Sequence, residues 1–150
     1  MRRVLYREGA DALGSAALFV LRLVVGAAFI LHGWPKIQIA THWMGDKAPV
    51  PGPLQAAAAV SEFGGGIALV LGLLTPLACL GLAATMTVAI MTVHVKMGHP
   101  FVDPKGGPSF ELAAAYLAAV VALLLAGPGR FSLDAALFGP RAKPVTTPDV

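Results

Sequence analysis

From Leu54 to Val95 the chain reads LQAAAAVSEFGGGIALVLGLLTPLACLGLAATMTVAIMTVHV, and Glu62 is the only Asp, Glu, Lys or Arg in it. A helix needs about 20 apolar residues to cross a bilayer core of roughly 30 Å. This stretch holds two such helices, 54–74 and 76–95, with Thr75 between them. A connection that short makes them antiparallel neighbours. Thr75-Pro76 has the form of an N-cap followed by a first-turn proline, and Pro49, Pro51, Gly52 and Pro53 punctuate the entry to the first of the two. Working outward, a third apolar run covers 15–37, interrupted by Arg22. A fourth covers 110–127, with Glu111 in its first turn, Gly106-Gly107-Pro108 before it and Gly127-Pro128-Gly129 after it. Ala, Leu and Gly dominate these runs, without the alternation of a membrane β-barrel. The expected fold is all-α: an integral membrane four-helix bundle, up-down-up-down.

The composition excludes other classes. Hydrophobic residues make up 57% of the 150 and charged ones 13%, with a mean hydropathy of +0.75, against roughly 25% charged in ordinary globular chains. A soluble enzyme is ruled out. The net charge of +3 is scattered, with no basic stripe interleaved with aromatics, so nucleic acid is not an expected partner. The single cysteine, Cys79, excludes an intrachain disulfide and any Cys-rich metal site. Arg2, Arg3 and Arg7 open like a signal peptide, but the apolar stretch behind them is too long and contains Arg22, so it is a true span. Residues 1–138 form one domain; 130–138 is an amphipathic segment expected on the inner membrane surface, and 139–150 a disordered tail. Arg2, Arg3, Arg7, Arg130, Arg141 and Lys143 fall on the side of the termini, and Lys36, Lys47, Lys96 and Lys105 on the other. This bias places both termini in the cytoplasm and the protein in the cell (cytoplasmic) membrane, with Trp34 and Trp43 near the outer interface.

Helices in lipid associate through small residues. Ala114, Ala118, Ala122 and Ala126 make such a stripe on span four, and Gly64, Ala68 and Gly72 on span two. The ionisable residues carry the chemistry, because a charge at mid-bilayer costs about 2.5–3.5 kcal/mol on insertion scales and must face protein or water. In the alternating topology His32, Lys36, Glu62, His94 and Glu111 all fall in the outer half of the bundle. Glu62, His32 and His94 are the candidate proton-handling groups, and Lys36, Gly64, Gly65 and Glu111 the candidate ligand-binding ones, with Gly64 to Gly66 flooring an apolar cleft. Arg22, Arg130 and Asp134 read as structural, Arg22 seeking Asp134 or backbone carbonyls. Each also has a plainer reading: Glu111 as a helix-dipole residue, Lys36, Lys96 and His99 as interfacial snorkellers. No metal is expected: no helix face carries two ligands at metal-binding spacing, and His94 and His99, five apart, diverge around an α-helix.

Leu21-Arg22-Leu23-Val24-Val25-Gly26, Phe29-Ile30-Leu31-His32-Gly33-Trp34-Pro35-Lys36, Glu62-Phe63-Gly64-Gly65, Leu71-Gly72-Leu73-Leu74-Thr75-Pro76, His94 and 127–134 resemble, in this order, the DoxX/DoxD family of small membrane proteins. The resemblance implies a four-helix bundle and, by analogy with a thiosulfate:quinone oxidoreductase, a redox subunit that meets the quinone pool. It implies a quinone as ligand and no covalently bound cofactor. No haem, iron–sulfur or flavin motif is present, so in that role a protein partner must supply electrons; whether the chain is an enzyme is left open, and if it is one, it is a quinone-linked oxidoreductase subunit rather than a complete enzyme. The alternative is a non-catalytic membrane scaffold or assembly factor whose polar cluster fixes helix register. A proton or solute pathway ranks last, because the inner half offers only Arg22. The lipid bilayer is a partner in either case, and a homo-oligomer is left open.

Overall fold

The computed structural model describes residues 10–45 and 48–139, all of them helix, turn or loop. Helix α1 spans Ala12–Gln38, α2 Gly52–Leu71, α3 Thr75–Ala89, α4 Glu111–Ala126 and α5 Leu133–Phe138. Helices α1, α2 and α3 with its continuation to Val95 are long and apolar enough to cross a membrane, and α4 is a shorter apolar helix of 16 residues. Among the described residues there is no strand. The tail from Pro140 and the basic residues Arg2, Arg3, Arg7, Lys47, Arg141 and Lys143 lie outside the described residues.

Successive helices pack side by side, α1 on α2, α2 on α3 and α3 on α4, while α1 and α4 meet only sparsely. Their shared core is Val25, Phe29, Leu69, Cys79, Leu82, Met86, Val120 and Leu123. The α1–α2 seam is the tightest. A Cβ added to Gly26 would stand 2.8 Å from the Gly66 carbonyl oxygen, and one on Gly33 would stand 2.5 Å from the Phe63 nitrogen. Only glycine admits backbones that close.

The small-residue stripes fall differently from the expectation. Gly64 has nothing near it, Gly65 packs on Leu82, and Gly66 makes the close approach. On α4 the stripe from Ala118 to Ala126 faces outward, while Val120 and Leu123 fill the core. A helix apolar on every side gives no periodic signal to choose between these faces.

One end of the bundle is closed by a fold-back. The segment 130–138, expected to be amphipathic and interfacial, packs on this end of the bundle through one face: Ser132 caps α5 through its hydroxyl, and Asp134 is fully buried, while Phe131, Leu133 and Leu137 stay exposed. The Asp134 carboxylate accepts from the N–H groups of Leu74, 2.7 Å, and Thr75, 2.8 Å, and its own N–H donates to the Gly72 carbonyl, 2.8 Å. It thereby caps α3 from a distant part of the chain. Thr75, expected as the N-cap, is instead the first helical residue, and its buried Oγ1 has no partner. Charge-assisted bonds from a carboxylate are stronger than those a threonine hydroxyl would offer. They also hold Leu74 at φ 49°, a left-handed conformation that costs about 1–2 kcal/mol for a side-chain-bearing residue.

Arg22 completes this end. Fully buried, it donates from Nη1 to the Leu69 carbonyl, 3.3 Å, and from Nη2 to the Phe131 carbonyl, with its guanidinium 5.8 Å from the Phe19 ring centre. Gly72, at φ 64°, leaves the room this guanidinium occupies. Arg130 is exposed and touches the bundle through its backbone N–H, bonded to Ser15 Oγ at 3.2 Å.

Candidate functional site

The opposite end holds an apolar cavity of about 570 Å³. Every long helix contributes a wall: Phe29, His32 and Lys36 from α1, Ser61 and Glu62 from α2, Thr85 and Met86 from α3, Leu112 and Tyr116 from α4. Alternating helix directions create this gathering, since the end of α1, the start of α2, the end of α3 and the start of α4 meet here.

An ion pair dominates the polar lining. Lys36 Nζ donates to both carboxylate oxygens of Glu62, 2.7 and 2.6 Å, and the carboxylate is nearly fully buried. The side chains reach each other because α1 continues through Pro35, which lies late enough in the helix to remove only a bond near its end. Trp43 roofs the ammonium, its ring centre 4.6 Å away. Such an aromatic face stabilises a partly desolvated cation by about 1–2 kcal/mol.

The roof is itself strapped down. Trp43 Nε1 donates to the Gln55 carbonyl at 2.9 Å, Met44 N–H donates to Gln55 Oε1 at 3.0 Å, and Gln55 Nε2 donates to the Val50 carbonyl at 2.9 Å. Trp43, Met44 and Val50 of the α1–α2 loop therefore form a lid pinned by one buried glutamine.

On the far wall the Tyr116 ring leans on Phe29, centroids 5.1 Å apart, and meets the edge of His32 at 6.1 Å. Ser61 Oγ is buried without a hydrogen-bond partner at the α2–α3 contact, where a Cβ on Gly81 would strike it. Helix α3 changes its winding as it reaches the cavity: Ile90–Val95 is a π-helix, a form that recurs at functional sites. His94 lies in this segment and lines the cavity.

Of the residues singled out in the sequence, the structure brings together His32, Lys36, Glu62 and His94. Glu111 and Gly64 are exposed and outside the lining, and Gly65, partly buried against Leu82, is outside it as well. Trp34 faces outward against Phe63, and Trp43 takes the place beside the charges. Sequence reasoning missed Gln55, Ser61 and Tyr116 as wall residues. Each is a polar-tipped side chain within an Ala-rich run, which is the signal that singles them out. Among the described residues no three His, Cys, Asp or Glu side chains gather closely enough to hold a metal ion.

Residues 17–95, more than half of the chain and including Lys36, Glu62 and His94, match the DoxX family. The chain belongs to the DoxX family. An uncharacterized protein of Haemophilus influenzae is 34% identical to this DoxX protein over 123 residues, covering 81% of this chain and 90% of the relative. No solved structure matches it. Membership agrees with the multi-pass helical architecture, and the relative carries no named activity.

Proposed function

We propose that this DoxX protein is a quinone-interacting subunit of a membrane redox assembly, of the kind that passes electrons from a donor such as thiosulfate to the quinone pool. The observation that carries this reading is the apolar cavity with the Lys36–Glu62 pair set into its wall. Its volume falls within the roughly 300–1,000 Å³ usual for small-molecule sites, which are mostly apolar with a few placed polar groups. The termini are assigned to the cytoplasm and the protein to the cell membrane, by the basic-residue bias of the sequence.

Reduction of a quinone to a quinol takes two electrons and two protons. Electrons come from a partner protein, because this chain has no haem, iron–sulfur or flavin motif. The chain's own residues supply the rest. Phe29, Met86 and Leu112 exclude water from the ring. Lys36 Nζ donates to a ring oxygen, and the carboxylate of Glu62 keeps that ammonium charged. Glu62, His32 and His94 are the groups that hold protons, histidine being the side chain whose charge changes most readily near neutral pH.

A second reading has its own support. Both Glu62 oxygens are already engaged by Lys36, as expected of a pair that fixes the register of α1 on α2 in a non-catalytic scaffold. A titration separates the two. Trp34→Phe leaves Trp43 as the reporter, and a soluble quinone analogue is added to the purified protein in detergent. A quinone site gives saturable quenching, weakened about tenfold or more by Glu62→Gln, in line with the worth of a hydrogen bond to a charged group. Linear quenching indifferent to Glu62→Gln is partitioning into the micelle, and leaves the scaffold.

A further inference from the structure

The winding of α3 at its end brings together two side chains that an α-helix would separate. His94 and His99 are five residues apart, which in an α-helix points them in divergent directions. The π-helix Ile90–Val95 and the wide turn that follows, in which His99 N–H donates to the His94 carbonyl at 2.9 Å, bring them onto one side instead. Their Nδ1 atoms lie 3.1 Å apart, with the rings at 68°. The divergence that the sequence suggested for this pair is overturned by the local backbone.

Two imidazole nitrogens at this distance cannot both be bare, nor both carry a hydrogen. One proton lies between them, donated by one ring and accepted by the other. The contact survives when the pair gains one further proton at an outer nitrogen, because a charged imidazole still donates to a neutral one. Only the doubly charged pair loses it.

Both rings are partly exposed, but they stand differently toward the cavity. His94 lines the cavity; His99 does not, and remains partly exposed in the loop beyond it. Phe110 borders the pair, its ring 6.5 Å from His94, and its N–H donates to the Pro100 carbonyl at 3.2 Å, closing the base of the 100–110 loop beside His99.

We infer that His94 and His99 form a proton relay through the cavity wall, carrying protons between solvent and the cavity; its use in quinone reduction rests on the reading above. A proton arrives at Nε2 of His99, and the proton between the rings passes from His99 Nδ1 to His94 Nδ1. The proton on His94 Nε2 then leaves toward the cavity. One proton enters, one leaves, and the hydrogen bond between the rings reverses its direction. The hydrogen bond between the rings then opens, and each ring loses one N–H proton and gains the other from water on its own side, which restores the starting tautomers without carrying a proton back. The titratable groups that line the cavity together with His94 are His32 and Lys36 of α1, Glu62 of α2 and Tyr116 of α4; Lys96, Asp103, Lys105 and Glu111 flank the pair along the chain.

The test uses the full chain in detergent, labelled with ¹⁵N-histidine and followed by NMR across pH, beside His99→Gln and His94→Gln. A relay gives coupled titration, both rings moving over the same steps as interacting sites do. In His99→Gln the His94 ring follows a single independent step, and its proton exchange with water slows by about tenfold or more. His94→Gln reverts His99 to independent titration and so decides the matter if His99→Gln does not fold. Independent titration of the two rings in the unaltered protein, or His94 exchange unchanged in His99→Gln, overturns the relay. The same samples are titrated with the soluble quinone analogue through Trp43. Coupled rings without saturable quenching leave the relay standing and remove the quinone; saturable quenching with uncoupled rings does the reverse.

Discussion

Each end of this bundle holds a basic side chain and a buried acidic one, yet the two ends use them in opposite ways. At the α5 end, Arg22 and Asp134 are committed to the backbone: the guanidinium to carbonyls of Leu69 and Phe131, the carboxylate to N–H groups of Leu74 and Thr75. At the cavity end, Lys36 and Glu62 are committed to each other, beside space large enough for a ligand. Charges that bind backbone fix where segments sit, and moving them moves the fold. Charges that bind only each other at a cavity wall can be re-partnered by something that enters. A buried ionic group is evidence of function only once its partners are known.

Removing one charge from the α5 end has the largest expected effect. Asp134→Ala leaves the N–H groups of Leu74 and Thr75 without their acceptor and takes away the carboxylate whose charge acts on buried Arg22, and is expected to lower stability by about 3–5 kcal/mol in thermal or denaturant unfolding in detergent. A loss below about 1 kcal/mol would sink the claim that this end is the structural one.

Paired neutralisation sharpens the contrast. Lys36→Met with Glu62→Met removes both charges together, and replacing such a pair by apolar groups is often neutral or stabilising. The melting temperature is expected to stay within a few degrees. Arg22→Met with Asp134→Leu is expected to cost about 2–4 kcal/mol, because the amides of Leu74 and Thr75 then go unpaired at about 1–3 kcal/mol each. Equal losses in the two doubles would erase the distinction.

The lid gives a smaller effect. Gln55→Ala removes the side-chain bonds to Met44 and Val50, and is expected to cost about 1–2 kcal/mol while shifting Trp43 emission to the red. Unchanged emission would mean that the roof over Lys36 stands without Gln55. Smallest is Ser132→Ala, which removes the cap of α5 and is expected to cost about 0.5–2 kcal/mol, with quinone-analogue binding unaltered at the other end.

The helices were legible because apolar runs of membrane-spanning length have few alternatives once charges are excluded from lipid. The convergence of His32, Lys36, Glu62 and His94 was legible for the same reason, combined with alternating helix directions. What escaped is set by contacts that no period encodes. Glu111 faces outward because its rotation about α4 is decided by which of many equivalent apolar residues pack. Gly66 rather than Gly64 meets α1 for a similar reason. The lid depends on loop geometry around Gln55, and the fold-back of Asp134 on a pairing across the whole chain. The His94–His99 contact needed a change of helix type that six ordinary apolar and polar residues, Ile90 to Val95, do not announce.

Helix lengths in this bundle are unequal, and that inequality reaches beyond the protein. At 1.5 Å per residue, α1 with 27 residues is about 40 Å long and α4 with 16 about 24 Å. A hydrocarbon layer of roughly 30 Å is overspanned on one flank and underspanned on the adjoining one. Lipids beside α4 must shorten their chains while α1 leans to fit, so the molecule sits in a bilayer of uneven local thickness. Where the membrane is thin the α4 flank is relieved while α1 must tilt further, so bilayer thickness acts on the two flanks with opposite sign.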